Sequence, residues 1–270
     1  MEKELEQKIC IALAPLKDKS GIVAFSGGVD STVAARLFQK VCKKMKLVTV
    51  ISEWISSSEV EDAKAIAQDL KIPHEIIQIS LGKETHLWKN PPDRCFHCKL
   101  LVFSHLLDYA KHHGYDLVLD GTNASDVKGH RPGLKALEKL EIQSPLLQGE
   151  ITKEEVRRIA KHYKLPVAKK PAMACLASRI PYGEEITREK LNRVAQGEKI
   201  LRNFGFSNQL RLRDHDSIAR IEINQKDFPI LLEKNILVQI VDELRALGYS
   251  YITLDLEGYR PSIPKEPSEK

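Results

Sequence analysis

No apolar run in the sequence approaches the roughly 18 residues that a bilayer-spanning helix needs. The opening stretch Met1-Glu2-Lys3-Glu4-Leu5 is charged and lacks the apolar centre of a secretory leader. Both absences lead us to expect a cytoplasmic protein with no membrane partner. Cysteine is scarce and odd in number, five in 270 residues, which argues against a disulfide framework. We expect Cys10 and Cys42, set in helix-like apolar patterns, to be small buried hydrophobes. No dense block of Lys and Arg with interleaved aromatics appears, so the net charge of +5 is compatible with nucleic acid or with phosphorylated small molecules and does not choose between them. There is no internal repeat and no low-complexity tract. The pattern Gly-x-x-x-x-Gly-Lys-Ser/Thr is also missing, which excludes the loop that cradles phosphates for γ-phosphoryl transfer.

What is present is a globular composition, 42% hydrophobic and 29% charged, and an alternation of short apolar runs with helical patterns. Residues 21–25, 47–51, 75–79 and 117–119 read as strands. Between them, residues 32–45, 58–70 and 99–113 read as helices, with Ser58-Glu59-Val60-Glu61 as a capping box. Thr152-x-x-Glu155 opens another capped helix. Strands separated by helices predict an α/β fold, a parallel, doubly wound sheet whose ligands bind beyond the carboxyl ends of the strands. After Pro171 the pattern changes. Residues 187–204 and 227–247 read as helices, and 209–213, 218–223 and 251–256 as strands, which makes a small α+β unit. We therefore expect an α/β domain over residues 1–170, a small α+β domain over 171–260, and a mobile tail over 261–270.

The first strand runs into Ser26-Gly27-Gly28-Val29-Asp30-Ser31 and then a helix. Two glycines let backbone N–H groups turn toward an anion without a Cβ in the way, and the helix N-terminus adds orphan donors. Ser26 and Ser31 can add hydroxyl donors. The bland alternative is an ordinary Gly-Gly turn. A second segment, Asp120-Gly121-Thr122-Asn123-Ala124-Ser125-Asp126, follows the fourth strand at the same edge of the sheet. Asp126 is its candidate for a metal or ribose contact, with Thr122 and Asn123 as polar partners. Arg131 offers a phosphate ligand, and Ser52 and Glu53, ending the second strand, should lie near the adenine.

Ser-Gly-Gly-Val-Asp-Ser resembles the PP-loop of the ATP pyrophosphatase superfamily, whose fold is adenine nucleotide α hydrolase-like. The resemblance implies an enzyme that splits ATP into AMP and pyrophosphate while adenylating a substrate oxygen. It implies ATP contacts from Ser26, Gly27, Gly28, Asp30, Ser31, Ser52, Gly121, Thr122, Asp126 and Arg131, with Asp30 catalytic and organising Mg²⁺.

Cys95-Phe96-His97-Cys98 and a distant Cys175 form the second constellation. A two-residue gap lets both thiolates reach one metal or cluster. Three thiolates would satisfy three irons of a [4Fe–4S] cluster and leave the fourth open to a sulfide. Zinc lacks an obvious fourth ligand, although His97 stays available, and a buried thiol pair is the plain alternative. The stretch Lys170-Pro171-Ala172-Met173-Ala174-Cys175-Leu176-Ala177-Ser178-Arg179-Ile180-Pro181-Tyr182-Gly183, with the PP-loop and Asp120-Gly121-Thr122-Asn123, resembles the LarE family of ATP-dependent sulfur transferases. That family builds the nickel-pincer cofactor of lactate racemase, and the likeness runs nearly to Gly258-Tyr259-Arg260. It implies a pyridinium-3,5-biscarboxylic acid mononucleotide as substrate, carboxylates converted to thiocarboxylates, a sulfide or sulfur donor, and a homo-oligomer. One branch sacrifices the sulfur of the cysteine matching Cys175. The three-cysteine branch is thought to hold a cluster on Cys95, Cys98 and Cys175, and this sequence carries that pattern.

Leu210-Arg211-Leu212-Arg213 alternates, so both arginines project from one strand face. Paired guanidinium forks suit a phosphate, and the LarE likeness implies a substrate phosphate held by Arg211, Arg213 and Arg179. A solvated polar face is the alternative. Arg220 and Glu222 repeat the spacing on the next strand and should pair with it. An ATP-dependent tRNA thiolase, an ammonia-using synthetase of the NAD or GMP synthetase kind, and an AMP-sensing binding module remain as competing readings.

Overall fold

Residues 2–127, 132–170, 174–207 and 209–260 are described by the structure, a computed structural model. The chain divides into two units, Met1–Lys83 with Pro92–Ala172, and Glu84–Pro91 with Met173–Lys270. The predicted tail, residues 261–270, and Arg131 lie outside the described residues.

The first unit is built on strands β1 (Ser20–Ala24), β2 (Lys44–Ile51), β3 (His74–Gln78) and β4 (Leu117–Leu119), all parallel, in the order β3-β2-β1-β4. The strands read as apolar runs because both faces are covered. Val23, Leu47 and Leu119 face a core shared with helices α1 (Lys3–Leu13), α2 (Val29–Phe38) and α3 (Ser57–Leu70), while Ile22, Val48 and Val118 face a second core beneath α4 (Arg94–His112) and α5 (Pro132–Lys139). A sixth helix, α6 (Lys153–His162), adds Val156 and Ile159 to the first core. The chain leaves β1 outward through β2 and β3, then returns to place β4 on the other side of β1. That reversal opens a crevice at the carboxyl ends of β1 and β4, where such sheets bind ligands.

Several boundaries differ from expectation. Helix α2 stops at Phe38, because the next residues form a tight turn in which the N–H groups of Val41 and Cys42 both reach the Phe38 carbonyl. Lys44 and Met45 already belong to β2. The N-cap of α3 lies two residues earlier than expected. Ser56 is the N-cap and accepts the Glu59 N–H at 3.4 Å. Helix α4 starts at Arg94, so Cys95 and Cys98 sit within its first two turns rather than ahead of it. Cys10 is exposed rather than buried, and Cys42 is half-buried against the first core.

In the second unit, α7 (Arg188–Asn203) and α8 (Lys234–Ala246) accompany strands β5 (Leu210–His215), β6 (Ile218–Ile223) and β7 (Tyr251–Leu254). The sheet is mixed, with β5-β6 antiparallel and β6-β7 parallel. Leu212 of β5 packs against Gly197 of α7, where an added Cβ would lie 3.0 Å from it. The expected helix over 227–247 is interrupted at Glu233, whose extended backbone separates a one-turn helix at Phe228–Leu231 from α8. Residues 84–91, assigned by sequence to the first domain, belong to this unit. Buried Asn90 donates its amide to the carbonyls of Ile180 at 3.2 Å and Pro181 at 2.5 Å, and Trp88 O accepts the Ile186 N–H at 2.7 Å. Among the described residues no helix is long and apolar enough to cross a membrane.

Candidate active site

The loop at residues 26–31 leaves β1 and becomes the first turn of α2, with Gly28 as N-cap. Gly27 adopts φ +64, and a Cβ there would meet Ala63 Cα of α3 at 2.8 Å. Only glycine fits both the left-handed backbone and that approach. Inside the loop the hydroxyls of Ser26 and Ser31 meet at 3.1 Å, and the Gly28 N–H reaches Ser26 Oγ at 3.3 Å. These groups lie at the α2 N-terminus, a geometry that suits an anion.

The segment after β4 closes on the same loop. A Cβ on Gly121 would lie 2.5 Å from Ser31 N and 2.8 Å from Asp30 C, so the two backbones touch. Asp120 is buried and accepts the Thr122 N–H at 3.1 Å, the Ser144 hydroxyl at 2.6 Å and the Thr122 hydroxyl. Thr122 is thereby spent on shaping the turn. Asn123 donates its amide to Asp30 at 3.2 Å, and its own N–H goes to Asp126 at 3.1 Å. Sequence reasoning thus picked out residues that meet in space, Ser26, Gly27, Gly28, Asp30, Ser31, Gly121 and Asn123.

It missed two lysines. Lys153, first residue of α6 after the Thr152 cap, forms an ion pair with Asp30. Lys170 donates to the Gly27 carbonyl at 3.0 Å and pairs with Asp62 at 2.8 Å. Burial pushes the Asp30 carboxyl up despite the Lys153 charge, and the Asp126 charge adds to the rise. Two mutually repelling carboxylates beside a phosphate cradle suit a divalent cation. Ser52 lies just past β2, where its hydroxyl accepts the Trp54 N–H at 3.4 Å.

In the second unit the Cys175 turn is held by Arg179. That guanidinium donates to Ala174 O at 2.6 Å, Cys175 O at 3.1 Å and Ser178 Oγ at 2.9 Å, while pairing with buried Glu198 at 2.7 Å. Arg213 pairs with fully buried Glu222 through two bonds of 2.8 and 2.9 Å. Arg211 lies with its Cζ 5.0 Å over the Tyr259 ring and donates to its hydroxyl at 3.2 Å. All three arginines are buried, so the strand face is not solvated. The Arg213–Glu222 pair is the cross-strand contact that the spacing led us to expect, and Arg220 joins Glu222 at 3.3 Å. Burial and the Arg179 charge push Arg211 down from the usual arginine range.

A parallel sheet with this loop at its switch point defines a nucleotide-binding protein of the PP-loop, adenine nucleotide α hydrolase-like class. The family model described as NAD synthase matches residues 3–88. A pyridinium-3,5-bisthiocarboxylic acid mononucleotide synthase of Lactiplantibacillus plantarum is 34% identical, over 95% of this chain and 93% of that protein. The chain belongs to the family of that synthase, the LarE family of PP-loop enzymes. An uncharacterized protein of Synechocystis sp. is 40% identical over 88% of this chain and 89% of its own length. A tRNA-specific 2-thiouridylase of Syntrophus aciditrophicus is more distant, 29% identical over 59% of this chain and 55% of its own.

Proposed function

We propose that the protein is an ATP-dependent sulfur transferase that adenylates the carboxylates of pyridinium-3,5-biscarboxylic acid mononucleotide and converts them to thiocarboxylates. The observation that carries the reading is the cradle in which residues 26–31 and 120–126 meet, in a chain related over nearly its whole length to a synthase of the bisthiocarboxylic acid. Ser26, Ser31 and the Gly27 and Gly28 backbone take the ATP phosphates, with Thr122 shaping the neighbouring turn. Asp30 and Asp126 would hold Mg²⁺, which neutralises the leaving pyrophosphate. The bound carboxylate oxygen attacks the α-phosphorus, pyrophosphate leaves, and a sulfur nucleophile then displaces AMP from the acyl carbon. Adenylation comes first because a carboxylate oxygen is a poor leaving group and AMP a good one.

Cys95, Cys98 and Cys175 would hold a [4Fe–4S] cluster. Two of these donors, Cys95 and Cys98, lie one helical turn apart at the start of α4, half-buried, and none of the three cysteines is in a disulfide. When bound, such a cluster leaves one iron without a protein thiolate, open to a sulfide. Arg211 carries the substrate-phosphate assignment further than Arg179 and Arg213, whose charges are each met by a buried carboxylate. An anion beside Arg211 would relieve a cation that burial and its neighbour disfavour. Arg179 instead shapes the Cys175 turn.

Anaerobic turnover with the mononucleotide, ATP and sulfide tests the proposal. Pyrophosphate release and a product heavier by one sulfur-for-oxygen exchange per carboxylate are expected. Release that requires tRNA would favour the thiolase reading, and ATP binding without release would favour a binding module.

A further inference from the structure

The phosphate loop contains no cation, and Lys170 approaches it from behind. Its ammonium donates to the Gly27 carbonyl at 3.0 Å and pairs with Asp62 of α3 at 2.8 Å, with 17% of the lysine side chain exposed. The lysine is itself held by its backbone. Arg157 of α6 donates to Ala168 O at 2.8 Å and to Lys170 O at 3.2 Å, clasping the segment that carries it.

In a trans peptide, a carbonyl and the following N–H point in opposite directions. No cis peptide occurs among the described residues. Fixing the Gly27 carbonyl toward Lys170 therefore fixes the Gly28 N–H away from it, toward Ser26 Oγ at 3.3 Å and the side of the loop where the Ser26 and Ser31 hydroxyls meet. Glycine at positions 27 and 28 leaves this peptide plane free to rotate. On the α3 side, Ala63 leaves no room for a Cβ on Gly27, but it does not hold the carbonyl. A donor at that carbonyl is what the plane needs.

We propose that Lys170 is a positioning residue that sets the Gly27–Gly28 peptide plane, and so aims the Gly28 N–H at the phosphate, without touching the phosphate. The inference rests on residues 26–31 being the phosphate site. It assigns a purpose to the first residue of the Lys170-to-Gly183 stretch.

The test uses the full chain with Lys170→Met, Lys170→Arg and Asp62→Asn variants. Binding of inorganic pyrophosphate and of ATP is measured by calorimetry at several salt concentrations, and the Gly28 amide is followed by NMR without ligand. Lys170→Met is expected to move the Gly28 amide signal and weaken pyrophosphate by about tenfold, as loss of one charge-assisted hydrogen bond would. The salt dependence of binding should stay that of the wild type, because no phosphate-contacting charge has gone. Lys170→Arg should restore most of the affinity, and Asp62→Asn, at a half-exposed site, should give a smaller shift in the same direction. Weakened binding with an unmoved Gly28 signal and a reduced salt dependence would overturn the proposal and make Lys170 a phosphate ligand. Unchanged binding in Lys170→Met would overturn it outright. If the wild-type protein binds neither ligand, the phosphate site itself is wrong. The Gly28 signal still reports separately whether Lys170 sets the peptide.

Discussion

Gly121→Ala puts the meeting of the two loops under direct strain. Gly121 is not in the left-handed backbone region, so alanine there carries no conformational penalty and the effect is steric. The new Cβ would lie 2.5 Å from Ser31 N, 2.8 Å from Asp30 C and 2.9 Å from Ser31 Cα. These are backbone atoms of the first turn of α2, which cannot swing aside as a side-chain end can. The loops must part by roughly 1 Å to reach ordinary van der Waals contact. Overpacking of this kind costs about 1–3 kcal/mol, and each kcal/mol lowers the melting temperature by roughly 2–4 °C. The catalytic effect should be larger, since a misplacement of about 1 Å can cost on the order of 10²-fold in rate. Pyrophosphate release measured against ATP concentration, beside a thermal melt, separates the two. Gly133→Ala is the control, because its Cβ meets chiefly the flexible Lys99 side chain, at 2.9 Å. A Gly121→Ala protein with unchanged KM, kcat and melting temperature would refute the close approach. Equal damage from Gly133→Ala would refute its specificity.

Lys153→Met removes the charge that opposes the upward push on Asp30. The Asp30 carboxyl should then hold its proton to higher pH, so the acid limb of pyrophosphate release moves upward, and Lys153→Arg should leave it in place. Glu222→Gln leaves Arg213 buried against a neutral amide, and loss of about 3–5 kcal/mol is expected in chemical denaturation, as for a broken buried pair. A loss below about 1 kcal/mol would mean that water reaches the pair. Burial pushes Glu198 up, but Arg179 outweighs it, with help from Arg211 and Arg202, and holds the carboxyl below the usual range. Its stabilisation is therefore complete above the unfolded value and lost as pH falls through the folded one. Acid melts of Glu198→Gln should lack that component, and a melt curve parallel to the wild type would count against the pair. Replacing Cys95 or Cys98 by Ser should lower bound iron in anaerobically reconstituted protein while ATP-dependent pyrophosphate release survives. Full sulfur transfer in those variants, with Cys175 losing one H₂S by intact mass, would favour the sacrificial route.

The sheet was legible because buried parallel strands leave unbroken apolar runs, such as Leu47 to Ile51. The phosphate loop was legible because its glycines and hydroxyls are contiguous. What spoiled boundaries was local ambiguity. Three serines in a row, residues 56–58, allow a capping box in more than one register, and only the hydrogen bond to Ser56 decides it. Val41 continued the helical spacing of α2 into a turn that a periodicity argument cannot tell from another helical turn. Cys10 follows an apolar helix pattern but falls on the exposed face of α1. Lys153 and Lys170 were invisible for a different reason. They lie more than 100 residues from the loop they touch, and a lysine on a surface helix or turn reads as solvation. The arginines of β5 were correctly placed on one face, and the spacing of β6 pointed to Glu222, which meets Arg213, but not to the carboxylate that meets Arg179. Glu198 comes from α7, a helix whose pairing with Arg179 no local pattern announces.

The position of α1 bears on how the chain is made. Leu5, Ile9 and Leu13 belong to a core completed by Leu146, Ile151, Val156 and Ile159, and Lys8 closes onto Glu155 at 2.8 Å. Helix α1 is thus sealed by residues synthesised about 130 positions later. At typical elongation speeds of about 5–20 residues per second, its apolar stripe waits roughly 7–26 seconds for its cover. β1, the central strand, likewise receives its last neighbour only when β4 emerges. A ribosome stalled before residue 145 would hold a chain in which α1 still lacks the part of its core supplied by Leu146, Ile151, Val156 and Ile159.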